Sequence, residues 1–124
     1  IIPRAILRGL KEEALQIYGK GEQRRDYLYI PDVVSAIWAS RNAPKGVYNI
    51  ATGVSYSLNE VVQAVRKVLP NLKTEYIPQP KFRPEDPKEW LGDSSKFQQA
   101  TGWKPRHTLN SGIADIFSIL KKKK

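Results

Sequence analysis

The chain has 124 residues, 40% of them apolar and 27% charged, a composition that excludes disordered, collagen-like and bilayer-spanning chains and leaves a soluble globular domain with a single core. It has no cysteine, which excludes disulfides, thiolate metal sites and a cysteine nucleophile, and its one histidine, His107, excludes the usual zinc sites. The net charge of +9 raises anionic ligands as partners, but four of those charges are Lys121 to Lys124, and no other basic run exceeds two residues.

In chain order, a short helix is expected from Pro3 to Leu10, weakened by Gly9, and a strand over Leu15 to Tyr18. Gly19 and Gly21 mark a turn, and Tyr27 to Ile30 reads as a second strand. Asp32 is a good N-cap for a helix with Val33, Val34, Ile37 and Trp38 on one apolar face, ending before Ala43-Pro44, and this stripe predicts that Trp38 is core. Val47 to Ala51 reads as a strand, with Asn49 and Thr52 satisfying main-chain groups beside the Gly53 turn.

Ser57 and Glu60 have the spacing of a capping box, and Leu58, Val61, Val62, Val65, Val68 and Leu69 then recur at helical intervals until Pro70. A strand over Thr74 to Ile77 follows. Pro78 to Pro87 holds four of the nine prolines and is expected as an extended surface loop. Ser94 or Ser95 opens a helix closed by Gly102, Trp103 and Pro105 pack its exit, and Thr108 caps a last helix carrying Leu109, Ile113, Ile116, Phe117 and Leu120. The alternation predicts an α/β fold: a small mixed sheet of short strands with about four to five helices.

Catalytic signatures are absent. Arg24 stands where a dinucleotide fingerprint beginning at Gly19 needs its third glycine, there is no G-x-x-x-x-G-K, and no tyrosine has a lysine four residues later. His107 reads as an exposed loop residue rather than part of a triad. The loops instead offer cationic and aromatic groups: Arg24-Arg25-Asp26-Tyr27 after the glycine turn, and Phe82-Arg83-Pro84-Glu85-Asp86 followed by Trp90. Arginine's planar fork suits phosphate oxygens.

The runs IYGKGEQRRDYLYIPDVVSAI, GVYNIATGVSYSLNEVV and FRPEDPKEWLGDSSKFQQATGWKP, in that order, resemble the C-terminal part of the extended short-chain dehydrogenase/reductases, most closely the NAD-dependent sugar-nucleotide epimerases such as UDP-glucose 4-epimerase. The resemblance implies the C-terminal part of a Rossmann-type epimerase without its NAD-binding domain. Residues 1–120 would bind the nucleotide-sugar and 121–124 would be a dispensable basic tail. It implies Gln16 and Tyr18 at the uracil, Arg25 and Arg83 at the diphosphate and Trp90 near the sugar, with Glu85 departing from the usual glycine. No catalytic residue and no cofactor belong to this chain under that reading. NAD and the tyrosine-lysine dyad belong to the full-length parent.

The lack of methionine accordingly predicts a piece of a longer polypeptide, and the cysteine-free chain a cytoplasmic one. Its expected partners are a UDP-sugar and the N-terminal Rossmann domain. Ile2, Ile6, Leu7 and Leu10 would be left facing an absent neighbour, so that the isolated chain self-associates. The competing expectation is a stand-alone basic module that binds nucleic acid through Tyr27, Tyr29, Trp38 and the lysines.

Overall fold

A computed structural model describes residues 1–78 and 87–122. It contains α1 (Ile2–Leu10), β1 (Leu15–Tyr18), β2 (Arg24–Asp26), α2 (Ile30–Ser40), β3 (Ser55–Ser57), α3 (Leu58–Arg66), β4 (Thr74–Ile77), β5 (Glu89–Trp90), α4 (Ser95–Thr101) and α5 (Leu109–Lys122). Five helices and short mixed strands match the expected fold class. No described helix is long and apolar enough to cross a membrane.

The strands form two small sheets. In one, β1 pairs parallel to β4, with Gln16 opposite Glu75 and Tyr18 opposite Ile77. In the other, β2 is central, antiparallel to β3 and parallel to β5. The main core lies where α1, α3 and α5 cover β1 and β4, burying Ala5, Ile6, Leu15, Ile17, Val62, Val65, Leu72 and Ile113. Strand alternation explains β1: Leu15 and Ile17 face this core, so Gln16 and Tyr18 face away. A second cluster joins Ala36 of α2 to Phe97 and Trp103, with Tyr48 and Ile50 packed on it.

Local chemistry sets several helix ends as expected. Ser57 and Glu60 form a reciprocal capping box, Thr108 and Ser111 cap α5 in the same manner, and Gly102 closes α4 with φ 70°. The bonds from the Ser57 main-chain N–H and hydroxyl hold the Glu60 carboxyl below its ordinary value.

Other expectations are corrected. The second strand is Arg24–Asp26 rather than Tyr27 to Ile30, because Ile30 with Pro31 already begins α2. Val47 to Ala51 joins no described ladder. Asp32 is not a cap: α2 starts two residues earlier, and the carboxylate is 1% exposed and turned to the other end of the chain. There it accepts the N–H groups of Arg106 (3.1 Å) and His107 (3.0 Å), with His107 Nδ1 at 3.0 Å from Oδ1. His107 lies in the loop before α5, as expected, but it is a partly buried partner of Asp32 rather than an exposed residue, with the Tyr29 ring edge-on at 5.0 Å.

Trp38 is 67% exposed, not core, because α2 packs inward through Ala36 and Asp32 and leaves its larger apolar side chains outside. Conversely, Ile6 of α1 is fully buried and Ile2 and Leu10 pack on the core, leaving Leu7 as the exposed member of that set. Lys121 and Lys122 continue α5, so the helix extends into the expected tail.

Candidate functional site

The register of the three-stranded sheet sets Arg25 of β2 beside Trp90 of β5. These two expected ligand residues are thus brought together, and both line an open cavity of about 570 Å³ with Asp26, Ala51, Glu89 and Gly92. The Arg25 guanidinium is steadied by its own strand and by the segment leading into β5: Nη1 donates to the carbonyls of Arg24 (2.7 Å) and Pro87 (3.0 Å).

The neighbouring arginine has a different task. Arg24 donates through Nε and Nη2 to Ser55 (3.1 and 2.7 Å) and through Nη1 to Glu60 (2.7 Å), with Glu89 3.6 Å away. Its charge lies between two carboxylates and cross-links β2, β3 and α3. Among the described residues Arg25, and not Arg24, lines the cavity.

Two residues that sequence reasoning passed over shape this cavity. Asp26 accepts the Thr52 N–H (3.1 Å), the Thr52 hydroxyl (2.6 Å) and the Gly53 N–H (2.9 Å), which fixes the turn before β3; only its place in Arg-Asp-Tyr hinted at this. Gly92 runs so close to Ala51 that a Cβ there would lie 2.3 Å from the alanine Cβ. Ser94 locks the same seam by donating to the Ala51 carbonyl (3.1 Å). Asn49, by contrast, is exposed and makes none of the described turn bonds.

Gln16 and Tyr18 do not line this cavity. They lie on the outward side of the other sheet, joined to β2 by the glycine turn, where Gly21 at φ 69° is held by Asn59: its main-chain N–H bonds the Gly21 carbonyl and its side-chain amide the Lys20 carbonyl. Arg83 lies outside the described residues. The Gly19 to Gly21 turn leads from strand to strand, whereas a dinucleotide pyrophosphate rests where a glycine turn opens onto a helix N-terminus, so these residues do not fit NAD.

An arginine and an indole thus stand on adjacent strands over an open cavity of an α/β scaffold, groups whose chemistry suits an anionic ligand. Comparison with known proteins gives the scaffold its family. Residues 1–116 match the family model described as GDP-mannose 4,6 dehydratase, and the chain belongs to that family of extended short-chain dehydrogenase/reductase sugar-nucleotide enzymes. It is 35% identical over 121 residues to dTDP-glucose 4,6-dehydratase 1 of Escherichia coli, covering 91% of this chain and 34% of that protein. It is 24% identical to UDP-glucuronic acid decarboxylase 4 of Arabidopsis thaliana, covering 91% and 25%.

Among solved structures, UDP-glucose 4-epimerase of Thermotoga maritima with UDP-glucose superposes with a TM-score of 0.90 at 27% identity, covering 98% of this chain and 39% of the epimerase. The dTDP-glucose 4,6-dehydratase of Bacillus anthracis in complex with NAD gives 0.86 at 25%, with the same coverage. The chain therefore spans about a third of the length of the curated relatives it matches.

Proposed function

We propose that this chain is the nucleotide-sugar-binding part of a cytoplasmic, NAD-dependent sugar-nucleotide epimerase or dehydratase, most like UDP-glucose 4-epimerase, and is not catalytic alone. The observation that carries this reading is Arg25 beside Trp90 over the cavity. Arg25 would grip diphosphate oxygens through charge-assisted bonds, with Arg83 as the second arginine, while the indole of Trp90 offers the sugar a flat apolar face. Gln16 and Tyr18, across the glycine turn, would receive the uracil.

This chain would bind and orient; the epimerisation or dehydration would take place in a Rossmann-type partner that holds NAD for transient hydride transfer. Binding energy at a remote diphosphate serves such chemistry by orienting the reacting sugar. The 35% identity to a dTDP-glucose dehydratase favours a second reading within the same class, in which the base is thymine and the reaction a dehydration.

The nucleic-acid alternative is weak for a structural reason. Trp38 is exposed with the Arg41 guanidinium over its ring, but the rest of that helix face is Ile30, Val34 and Ile37, an apolar stripe rather than the cationic groove a single strand requires. A titration with UDP-glucose, dTDP-glucose and a single-stranded oligonucleotide at two salt concentrations tests the proposal. A saturable response to either sugar nucleotide supports it and the better one chooses between the readings; a salt-sensitive response to the oligonucleotide alone overturns it.

A further inference from the structure

The strand that carries Trp90 has little of its own to hold it. Strand β5 is two residues long, Glu89–Trp90, and stands at the edge of its sheet against β2. A strand of this length is marginal on its main-chain bonds alone. Trp90 is 61% exposed, so burial does little to fix the indole, and the placement of the strand decides where it points.

Successive residues of a strand face opposite sides of the sheet, and the register sets Arg25 beside Trp90 and Arg24 beside Glu89. The pair assigned to the ligand thus has a second pair directly behind it on the same two strands.

That rear pair ends a continuous run of hydrogen bonds. Glu60, whose carboxylate completes the capping box of α3, accepts from Arg24 Nη1 at 2.7 Å. Arg24 Nε donates to the Ser55 hydroxyl at 3.1 Å, and Nη2 to the Ser55 carbonyl at 2.7 Å. The same hydroxyl donates to the Glu89 carboxylate, which lies 3.6 Å from Arg24 Nε. Ser55 is buried, so its hydroxyl accepts from one side and donates to the other in a place sheltered from water. The run begins on a helix of the main core and crosses β2, and it ties the two outer strands β3 and β5 to each other. Charge-assisted bonds of this kind are short and directional, which makes them suited to holding a strand in one place.

We infer that Arg24, Ser55 and Glu89 are positioning residues for the sugar end of the site: their bonds behind the sheet fix β5 and so set the angle at which Trp90 meets the cavity. This rests on the reading that Trp90 faces the sugar and Arg25 the diphosphate. Disturbing the rear bonds should then impair recognition of the sugar more than that of the diphosphate, because Arg25 stands on the central strand, which keeps its main-chain pairing with β3.

Ser55→Ala is the cleaner probe, since Glu89 lines the cavity and Ser55 does not; Glu89→Ala is the second, at an exposed residue whose loss the fold should tolerate. Two quantities are read: the indole N–H resonance of Trp90 in the unliganded chain, and the ratio of affinities for UDP-glucose and UDP. In both variants the Trp90 resonance should shift or broaden while that of the buried Trp103 stays in place. The preference for UDP-glucose should fall about fivefold, with UDP affinity within about twofold of the wild type. Glu89→Gln, which keeps an oxygen for the Ser55 hydroxyl, should recover most of the preference.

An undisturbed Trp90 resonance in both variants, or equal losses of UDP and UDP-glucose, would overturn the inference. Failure of the underlying reading looks different. A wild-type chain without preference for UDP-glucose, or a Trp90→Ala variant that keeps the preference, counts against the sugar at the indole, while the Trp90 resonance still decides whether the rear bonds set the strand.

Discussion

The carboxylate of Asp26 holds the main-chain N–H of Gly53 at 2.9 Å, one residue along the chain from the arginine presented to the cavity. Through this bond and those to Thr52, the central strand β2 fixes the turn that delivers Ala51 to the cavity floor. The residue is thus a brace for the site rather than a ligand of it.

Replacing Asp26 by alanine removes three hydrogen bonds to one carboxylate and leaves two main-chain donors without their partner. The expected cost is about 2–3 kcal/mol, accompanied by weaker sugar-nucleotide binding. Thermal unfolding and a UDP titration on the same variant check it. An unchanged melting temperature would show that the turn holds without the brace.

Asp32 predicts a specific acid sensitivity. Burial pushes its carboxyl up, but the bonds from the Arg106 N–H and from the side chain and N–H of His107 together hold it below the ordinary 3.8. A lowered folded-state value means that the stabilisation is complete above the unfolded value and is lost as pH falls through the folded one. Acid unfolding should therefore contain a step below about pH 4 that Asp32→Asn flattens. Asp32→Ala, which leaves the Arg106 and His107 amides unpaired, should lower stability by about 3 kcal/mol at pH 7. An acid limb unchanged in Asp32→Asn would contradict this.

Gly92 is required by proximity. An added methyl would sit 2.3 Å from the Ala51 Cβ, so β5 and Trp90 must move away from the turn. Gly92→Ala should cost about 1–3 kcal/mol and weaken ligand binding. Adding Ala51→Gly should recover part of both, a coupling that a double-mutant cycle measures directly. Strictly additive effects would place the strain elsewhere.

Much of this was legible in the sequence where the signal is local. The capping box at Ser57 and Glu60, the left-handed Gly102 and the β1 and β4 runs each depend on residues a few positions apart. What sequence reasoning missed depends on residues far apart in the chain. Asp32 has the right neighbours for an N-cap, yet its partners lie more than 70 residues on. The apolar pattern of α2 is unambiguous, but periodicity states only that a face seeks burial, not that its cover lies within these residues. Val47 to Ala51 has strand composition without a described strand to pair with, for the same reason. At the site, Arg25 and Trp90 were found through the family resemblance, while Gly92 carried no signal because its constraint is contact with Ala51, 41 positions away.

Sugar-nucleotide binding at this cavity depends most directly on Arg25. Amide chemical shifts of the chain should be followed during titration with UDP, for the wild type and for Arg25→Ala. Binding to this part alone is expected to be weak, because immobilising the ligand still costs several kcal/mol against few contacts. The predicted result is a saturable shift at Arg25, Ala51, Trp90 and Gly92, with affinity reduced about thirtyfold in Arg25→Ala, equivalent to about 2 kcal/mol. Shifts that fall elsewhere on the surface, or an affinity indifferent to Arg25, would contradict the assignment of this cavity to a sugar nucleotide.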